Sequence, residues 1–304
     1  MKTNKFLTMK RKRLIFYILA SVIPLVQAAT FYFYVNFRSI TLAFQRYDEG
    51  IYRFVGLENI SQAIQDIINT PYLRHSISNS LTLFALMLLF GSLPSILFSY
   101  YICKKKVGAG LFKVILYLPH IISTTVFVIM YKYFIENAIP SIVFSLTGKE
   151  VEGMLYNFAN IGVVRTCVIV FTIWLSFGTS VLMYSGTMSG ISDSIVEAGK
   201  LDGITPMREL FSIYIPMIWP TVITFIVASI AHIFTNQMHL YTIYGSTAEY
   251  ELYTFGYFLY KNTLEASFAQ YPYLSAMGLL MTVIAVPVTL LIRRLMEKFG
   301  FKTE

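Results

Sequence analysis

The sequence predicts an all-α, polytopic membrane protein of about six transmembrane helices with one polar cytoplasmic helix, and three observations predict it. First, 56% of the 304 residues are hydrophobic and 13% charged, against roughly 25% charged in soluble domains. Second, the apolar residues gather at about 14–37, 77–102, 113–135, 163–187, 213–235 and 273–292, each near the ~20 residues that cross a bilayer as a helix. Third, Lys and Arg segregate between alternate loops. With the amino terminus inside, 16 of the 24 basic residues and six of the 16 acids face inward, so the faces carry +10 and −2, as the positive-inside rule requires. The formal charge of +8 is thus a topology signal and gives no reason to invoke nucleic acid.

Residues 1–13 read as a basic cytoplasmic tail ending in Lys10, Arg11, Lys12 and Arg13. The stretch 14–37 is too long for a signal-peptide core and, despite Ala28 and Ala29, lacks a convincing cleavage site, so it reads as an uncleaved anchor. Pro24, Pro94, Pro119, Pro216 and Pro287 fall in or beside spans and are kink candidates. The outer loops 38–76, 136–162 and 236–272 are too small for separate cores and are expected to form short helices on the bundle. Residues 14–304 therefore make a single transmembrane domain that includes a loop at 188–212, with both termini in the cytoplasm of a multi-pass cell-membrane protein. Cys103 and Cys167 read as free thiols acting as small apolar residues.

The loop 188–212 carries the most specific pattern. Ser194 and Glu197 have capping-box spacing, so a helix is expected to start near Ser194. Ile195, Ala198 and Leu201 recur at helical spacing, Gly203 suits a left-handed position past the helix end, and Pro206 opposes continuation. The small residues Ala198 and Gly199 permit close approach by another backbone, while Glu197 and Asp202 offer acceptors to donors on a partner. A helix lying on lipid would instead carry Lys or Arg along its polar face.

Glu197, Ala198, Gly203, Ile213 and Pro216 match the pattern EAA-x3-G-x9-I-x-LP, with Gly199 in place of the second alanine and Ile215 in place of leucine. In this the chain resembles the permease subunits of binding-protein-dependent ABC importers. Softer patterns resemble the carbohydrate, maltose-transporter-like branch: FVGLENI at 54–60, Asn79 and Ser80, LYLPHIIS at 116–123, IWLSFG at 173–178 and YPYLSAMGLL at 271–280. The resemblance implies a sugar or oligosaccharide importer in which this chain pairs with a second permease subunit, two ATPase subunits and an extracellular solute-binding protein. It also implies that Glu197, Ala198, Gly199, Asp202 and Gly203 couple the chain to the ATPase. No G-x-x-x-x-G-K-[ST] loop is present, so the chain is read as no enzyme, with no cofactor of its own and with ATP and magnesium on the partner ATPase.

A sugar pathway needs aromatic faces beside groups that both donate and accept. Trp174, Tyr184, His232, Asn236 and Gln237 are the candidates, with Thr124 and Thr125 weaker. Each has an ordinary alternative: Trp174 as packing, the threonines bonding their own helix, His232 as a bundle hydrogen bond. The Tyr-rich stretch 241–260, with Glu249, Glu251 and Tyr253, is read either as a contact for the binding protein or as an interfacial aromatic belt. His75, His120, His232 and His239 show no zinc spacing. Import of a non-sugar solute by the same machinery, and a secondary transporter, are the alternatives; no acid sits well inside a span, which disfavours the latter.

Overall fold

The computed structural model describes residues 3–301. Residues 1, 2 and 302–304, which include the outermost part of the basic tail and Lys302, counted above among the inward charges, lie outside the described residues. In chain order the elements are α1 (Met9–Leu42), the strands β1 (Gln45–Asp48) and β2 (Ile51–Phe54), α2 (Glu58–Asn69), α3 (Pro71–Cys103), α4 (Ala109–Ile121), α5 (Thr124–Thr147), α6 (Phe158–Ser189), α7 (Asp193–Leu201), α8 (Pro206–Ala231), α9 (Leu240–Tyr244), α10 (Phe255–Glu265) and α11 (Tyr271–Phe299). Six of these, α1, α3, α5, α6, α8 and α11, are long and apolar enough to span a membrane, in agreement with the expected count.

The third span differs from expectation. The stretch read as 113–135 is two helices, because Ile122 and Ser123 take extended backbone angles (ψ 142° and 130°). The run Ile121-Ile122-Ser123-Thr124-Thr125 consists of β-branched and hydroxyl residues, which are poor helix formers. Beyond the break α5 runs on to Gly148, which ends it at φ +67°, so most of the expected loop 136–162 is helical. Glu136 consequently lies in the middle of a candidate span, Thr124–Thr147, against the expectation that no acid sits well inside one. Its carboxylate accepts the Leu155 amide.

Three of the prolines share a device. Pro94, Pro140 and Pro216 each follow a π-helical segment, at Met87–Ser92, Phe134–Ala138 and Leu210–Tyr214. In each case the amide before the proline bonds five residues back, Leu93 to Leu88, Ile139 to Phe134 and Ile215 to Leu210. A proline ring clashes with the carbonyl four residues earlier. Widening the preceding turn by one residue relieves that clash without breaking the span.

Contacts divide the chain into two compact units where the sequence suggested one bundle. One unit runs to Gln65 and includes Glu265–Leu280; the other holds Asp66–Leu264 and the chain from Met281 onward. In the first, none of the apolar window of α1 is buried. An unexpected antiparallel hairpin pairs Tyr47 with Tyr52 and turns at Glu49-Gly50, both at positive φ, as a two-residue I′ turn demands. The buried Asn59 amide donates to the Ala43 and Gln45 carbonyls, and Arg46 pairs with Glu58, which ties α2 to the hairpin.

In the second unit α6 is the central helix. Val164, Val168, Phe171, Val181, Tyr184 and Met188 along it are at most 1% exposed. At Gly178 the α4 backbone crosses so closely that a Cβ would fall on the Leu116 carbonyl oxygen, the small-residue contact that lets membrane helices approach. Gly178→Val should therefore destabilise the protein by about 1–3 kcal/mol through overpacking. Gly186→Ala, on the same helix with nothing within 4 Å of its Cβ, should be neutral or stabilising by up to about 1 kcal/mol. Thermal unfolding of the two variants in detergent checks the contrast.

Candidate functional site

The loop between α6 and α8 is built by local rules. Ser192 caps α7 in an extended conformation (ψ 132°), and its hydroxyl pairs with Ser194 Oγ at 2.7 Å. The expected capping box between Ser194 and Glu197 does not form. The helix starts a residue earlier, where Asp193 places its carboxylate in the first turn and meets the positive end of the helix dipole. The far end follows expectation. Gly203 sits at φ +72°, its amide bonds the Lys200 carbonyl, and the Ile204 amide bonds the Gly199 carbonyl at 3.3 Å, which is the Schellman arrangement.

Which face of α7 points outward was misread in part. Val196 is 6% exposed and packs in a core with Ile96, Tyr184, Met188, Leu210, Tyr214, Ile218 and Val222. Gly199 shares this inner side: a Cβ there would lie 2.8 Å from Ile204 Cδ1 and 2.9 Å from Ile213 Cδ1. The space at Gly199 is thus filled by the chain's own loop, and a partner does not enter it. Glu197, Ala198 and Asp202 are exposed, as are Ile195 at 41% and Leu201 at 89%. The apolar stripe Ile195, Ala198, Leu201 therefore faces away from the chain.

The exit of the loop is pinned. Thr205 Oγ1 accepts the Arg208 amide at 3.4 Å, with Pro206 at the start of α8. Glu209, 5% exposed, accepts from Tyr100 Oη at 2.8 Å and from Lys104 Nζ. The Lys104 ammonium also lies over the Tyr100 and Tyr214 rings, 5.5 and 5.0 Å from their centroids. Burial alone would lower the Lys104 pKa, but the bond to Glu209 holds it above the ordinary lysine value. Sequence reasoning missed this cluster. Lys104 counted only as one of the inward charges, and its partner 105 residues away leaves no local signal.

The proposed pathway residues do not converge. Tyr184 is 0% exposed, inside the core, with its ring 5.1 Å from Phe225. Trp174 lies edge-on to Phe127 and lines an apolar groove with Leu86, Phe90, Ile173 and Phe177. His232, Asn236 and Gln237 follow the end of α8 as expected. His232 and Asn236 line a cavity of about 350 Å³ with Ser80, Met87 and Ser229; Gln237 Oε1 is buried without a hydrogen-bond partner.

Asn236 also lines a second cavity of about 580 Å³, with His120, Ser123, Thr124, Thr172, Ser176 and His239. Of these only Thr124 was singled out from sequence for this role. Met238 and His239 both adopt left-handed angles, φ 53° and 56°. The turn is held by Asn236 Oδ1 accepting the Met238 amide at 2.9 Å and by Thr254 Oγ1 donating to the Asn236 carbonyl at 2.7 Å. Gly256 lets α10 pass against it, since a Cβ would sit 2.6 Å from the Thr235 carbonyl oxygen. Burial pushes the His239 imidazole below its ordinary pKa, so the ring is neutral at pH 7 and both donates and accepts.

The stretch 241–260 is mostly folded into the protein. Ile243, Tyr244, Leu252, Tyr253, Phe255, Tyr257 and Phe258 are buried, while Glu249, Tyr250 and Glu251 form an exposed tip and Thr242, Thr247 and Tyr260 are exposed elsewhere along it. Asn79 and Arg165 fasten that tip through the Glu251 carbonyl, both at 2.8 Å.

Six candidate membrane-spanning helices with a short helix held between two of them define a class, the multi-pass helical membrane proteins. Residues 80–302 match the family described as binding-protein-dependent transport system inner membrane component, and the chain belongs to that family. This is a family of transport subunits and not of catalytic ones. The chain is 24% identical over 310 residues to the polygalacturonan/rhamnogalacturonan transport system permease protein YteP of Bacillus subtilis, covering 96% of this chain and 92% of YteP. It is 19% identical over 280 residues to the multiple sugar-binding transport system permease protein MsmF of Streptococcus mutans, covering 91% and 94%. It is also 25% identical over 182 residues to the sn-glycerol-3-phosphate transport system permease protein UgpA of Pectobacterium atrosepticum, covering 60% and 59%. Its fold is similar to that of a chain in the crystal structure of a bacterial ABC transporter involved in the import of the acidic polysaccharide alginate, with TM-score 0.77, 22% identity and coverage of 98% and 100%.

Gly199→Val should destabilise the chain itself by about 1–3 kcal/mol, because Ile204 and Ile213 must move. Leu201→Ser, at a side chain 89% exposed, should stay within about 0.5 kcal/mol. Thermal unfolding of the isolated chain distinguishes a spacer inside the chain from a contact with a partner.

Proposed function

We propose that the chain is the permease subunit of an ATP-driven importer, moving a sugar or oligosaccharide delivered by an external solute-binding protein. The observation that carries the reading is α7, whose Glu197, Ala198, Leu201 and Asp202 face away from the chain while Val196 and Gly199 lock its other side. A helix so fixed presents a firm surface to a separate ATPase, on which ATP and magnesium would reside. Gly203 sets the turn and Gly199 acts as the internal spacer. The loop then lies on the cytoplasmic side with both termini, and a second permease subunit completes the pathway.

The substrate class is supported by the names of YteP and MsmF and by the two cavities. Hydroxyl, amide and imidazole groups occur in both, among mainly apolar side chains in the smaller and more densely in the larger, and among the described residues neither is lined by a lysine or arginine. That chemistry suits a polyhydroxylated solute. A phosphorylated polyol is the second reading, supported by the partial match to UgpA, but a phosphate dianion would find no fixed positive charge there. Asn236 and His232 remain pathway residues in this proposal; Trp174 and Tyr184 act in packing.

The test is ATP hydrolysis by the complex purified through a tag on this chain, with neutral oligosaccharides, oligogalacturonides or glycerol 3-phosphate supplied with its binding protein. Stimulation by one saccharide is expected. Glu197→Lys should weaken retention of the ATPase about tenfold or more, since a charged hydrogen bond is worth about 1.5–3 kcal/mol. Stimulation by glycerol 3-phosphate alone would replace the sugar reading.

A further inference from the structure

We propose that Glu209 and Lys104 form a positioning pair that pins the exit of the α7 loop to the inner end of α3, so that displacement of α7 moves α3 and the start of α8 as one body. The inference rests on α7 being the ATPase-docking helix. The loop is continuous with α6 at one end and α8 at the other, but α3 has no covalent link to it. Beside the apolar core that Ile96 shares with Val196, the polar connection is the Glu209 carboxylate, which accepts from Tyr100 Oη at one oxygen and Lys104 Nζ at the other. Tyr100 Oη also lies 3.1 Å from the Pro206 carbonyl, so its single proton faces two acceptors in the first turn of α8, the carboxylate being the nearer.

An apolar contact at this place would let the helices slide. A carboxylate that is 5% exposed and bonded in two directions does not, because separating it from its ammonium strands a charge away from water. The π-helical segment Leu210–Tyr214 begins immediately after Glu209. Bending of α8 thus falls beyond the pin, and the pinned turn travels with α3. The pin also bears on the cavity of about 350 Å³, whose walls include Met87 of α3 and Phe225 of α8.

The test uses the complex purified through a tag on this chain, with Cys103 and Cys167 replaced by alanine. Spin labels are placed at Val107→Cys and Met207→Cys, at positions 95% and 60% exposed beside the two pinned ends. Their distance is measured by pulsed electron paramagnetic resonance without nucleotide and after trapping with MgATP and vanadate. In the otherwise native chain one narrow peak is expected in both states. In Glu209→Gln and in Lys104→Met the peak should shift or broaden on trapping, and the exchanged pair Lys104→Glu/Glu209→Lys should regain the narrow peak. Glu209→Gln keeps the side-chain shape, and Lys104→Met provides the same test should it assemble poorly. A peak equally narrow in both states of both single variants would overturn the pin and leave the docking reading intact. If no ATPase accompanies the tagged chain, the docking reading falls and the pin with it.

Discussion

A nine-residue helix is too short to persist on its own hydrogen bonds, and everything that α7 does depends on the chain holding it from behind. Val196 inserts into the core shared by α3, α6 and α8, and Ile204 folds back across Gly199 through the Schellman turn at Gly203. The absent Cβ at 199 leaves room for the ends of Ile204 and Ile213. An alanine there would gain about 0.8–1.0 kcal/mol of helix propensity and would require those two Cδ1 methyls to shift.

The spans obey a second constraint, that backbone groups in hydrocarbon must be satisfied within the protein. Three prolines would each orphan a carbonyl, and in each case a π-helical turn lies immediately before. Two of these wide turns fall at Met87, beside both cavities, and at Leu210–Tyr214, just past the buried Glu209. Deformable backbone therefore lies next to the pathway and next to the loop, while the Gly178 crossing of α4 and α6 stays tight. That distribution suits a bundle in which a few bodies move about fixed joints.

Much of this was legible in the sequence. Span count, the positive φ at Gly203 and the polar end of α8 follow from hydropathy, glycine chemistry and local pattern. The hairpin was not read, since only Gly50 marks the turn and Glu49 at φ 47° takes a conformation that Asn, Asp or Gly would have signalled more clearly. The rest depended on contacts distant in sequence. Which face of α7 is buried is decided by Ile213, and the worth of Glu209 by Lys104. The gathering of Thr172, Ser176 and His239 around Asn236 is decided by the break at Ile122–Ser123 and by the strained turn at Met238, where β-branched residues and a left-handed pair gave weak local cues. Trp174 drew attention because aromatic faces bind sugars, yet the helical phase of α6 turns it toward Phe127 and an apolar groove.

The central claim is that α7 presents its Leu201 side to an ATPase. The most direct test places single cysteines at Leu201 and, as a buried control, at Val196 in a chain lacking Cys103 and Cys167, and applies a short thiol-to-amine cross-linker to the assembled complex. Leu201→Cys is expected to join the chain to its ATPase and Val196→Cys is not. A Leu201→Cys thiol that reacts freely with soluble maleimide in the assembled complex and joins to nothing would contradict it.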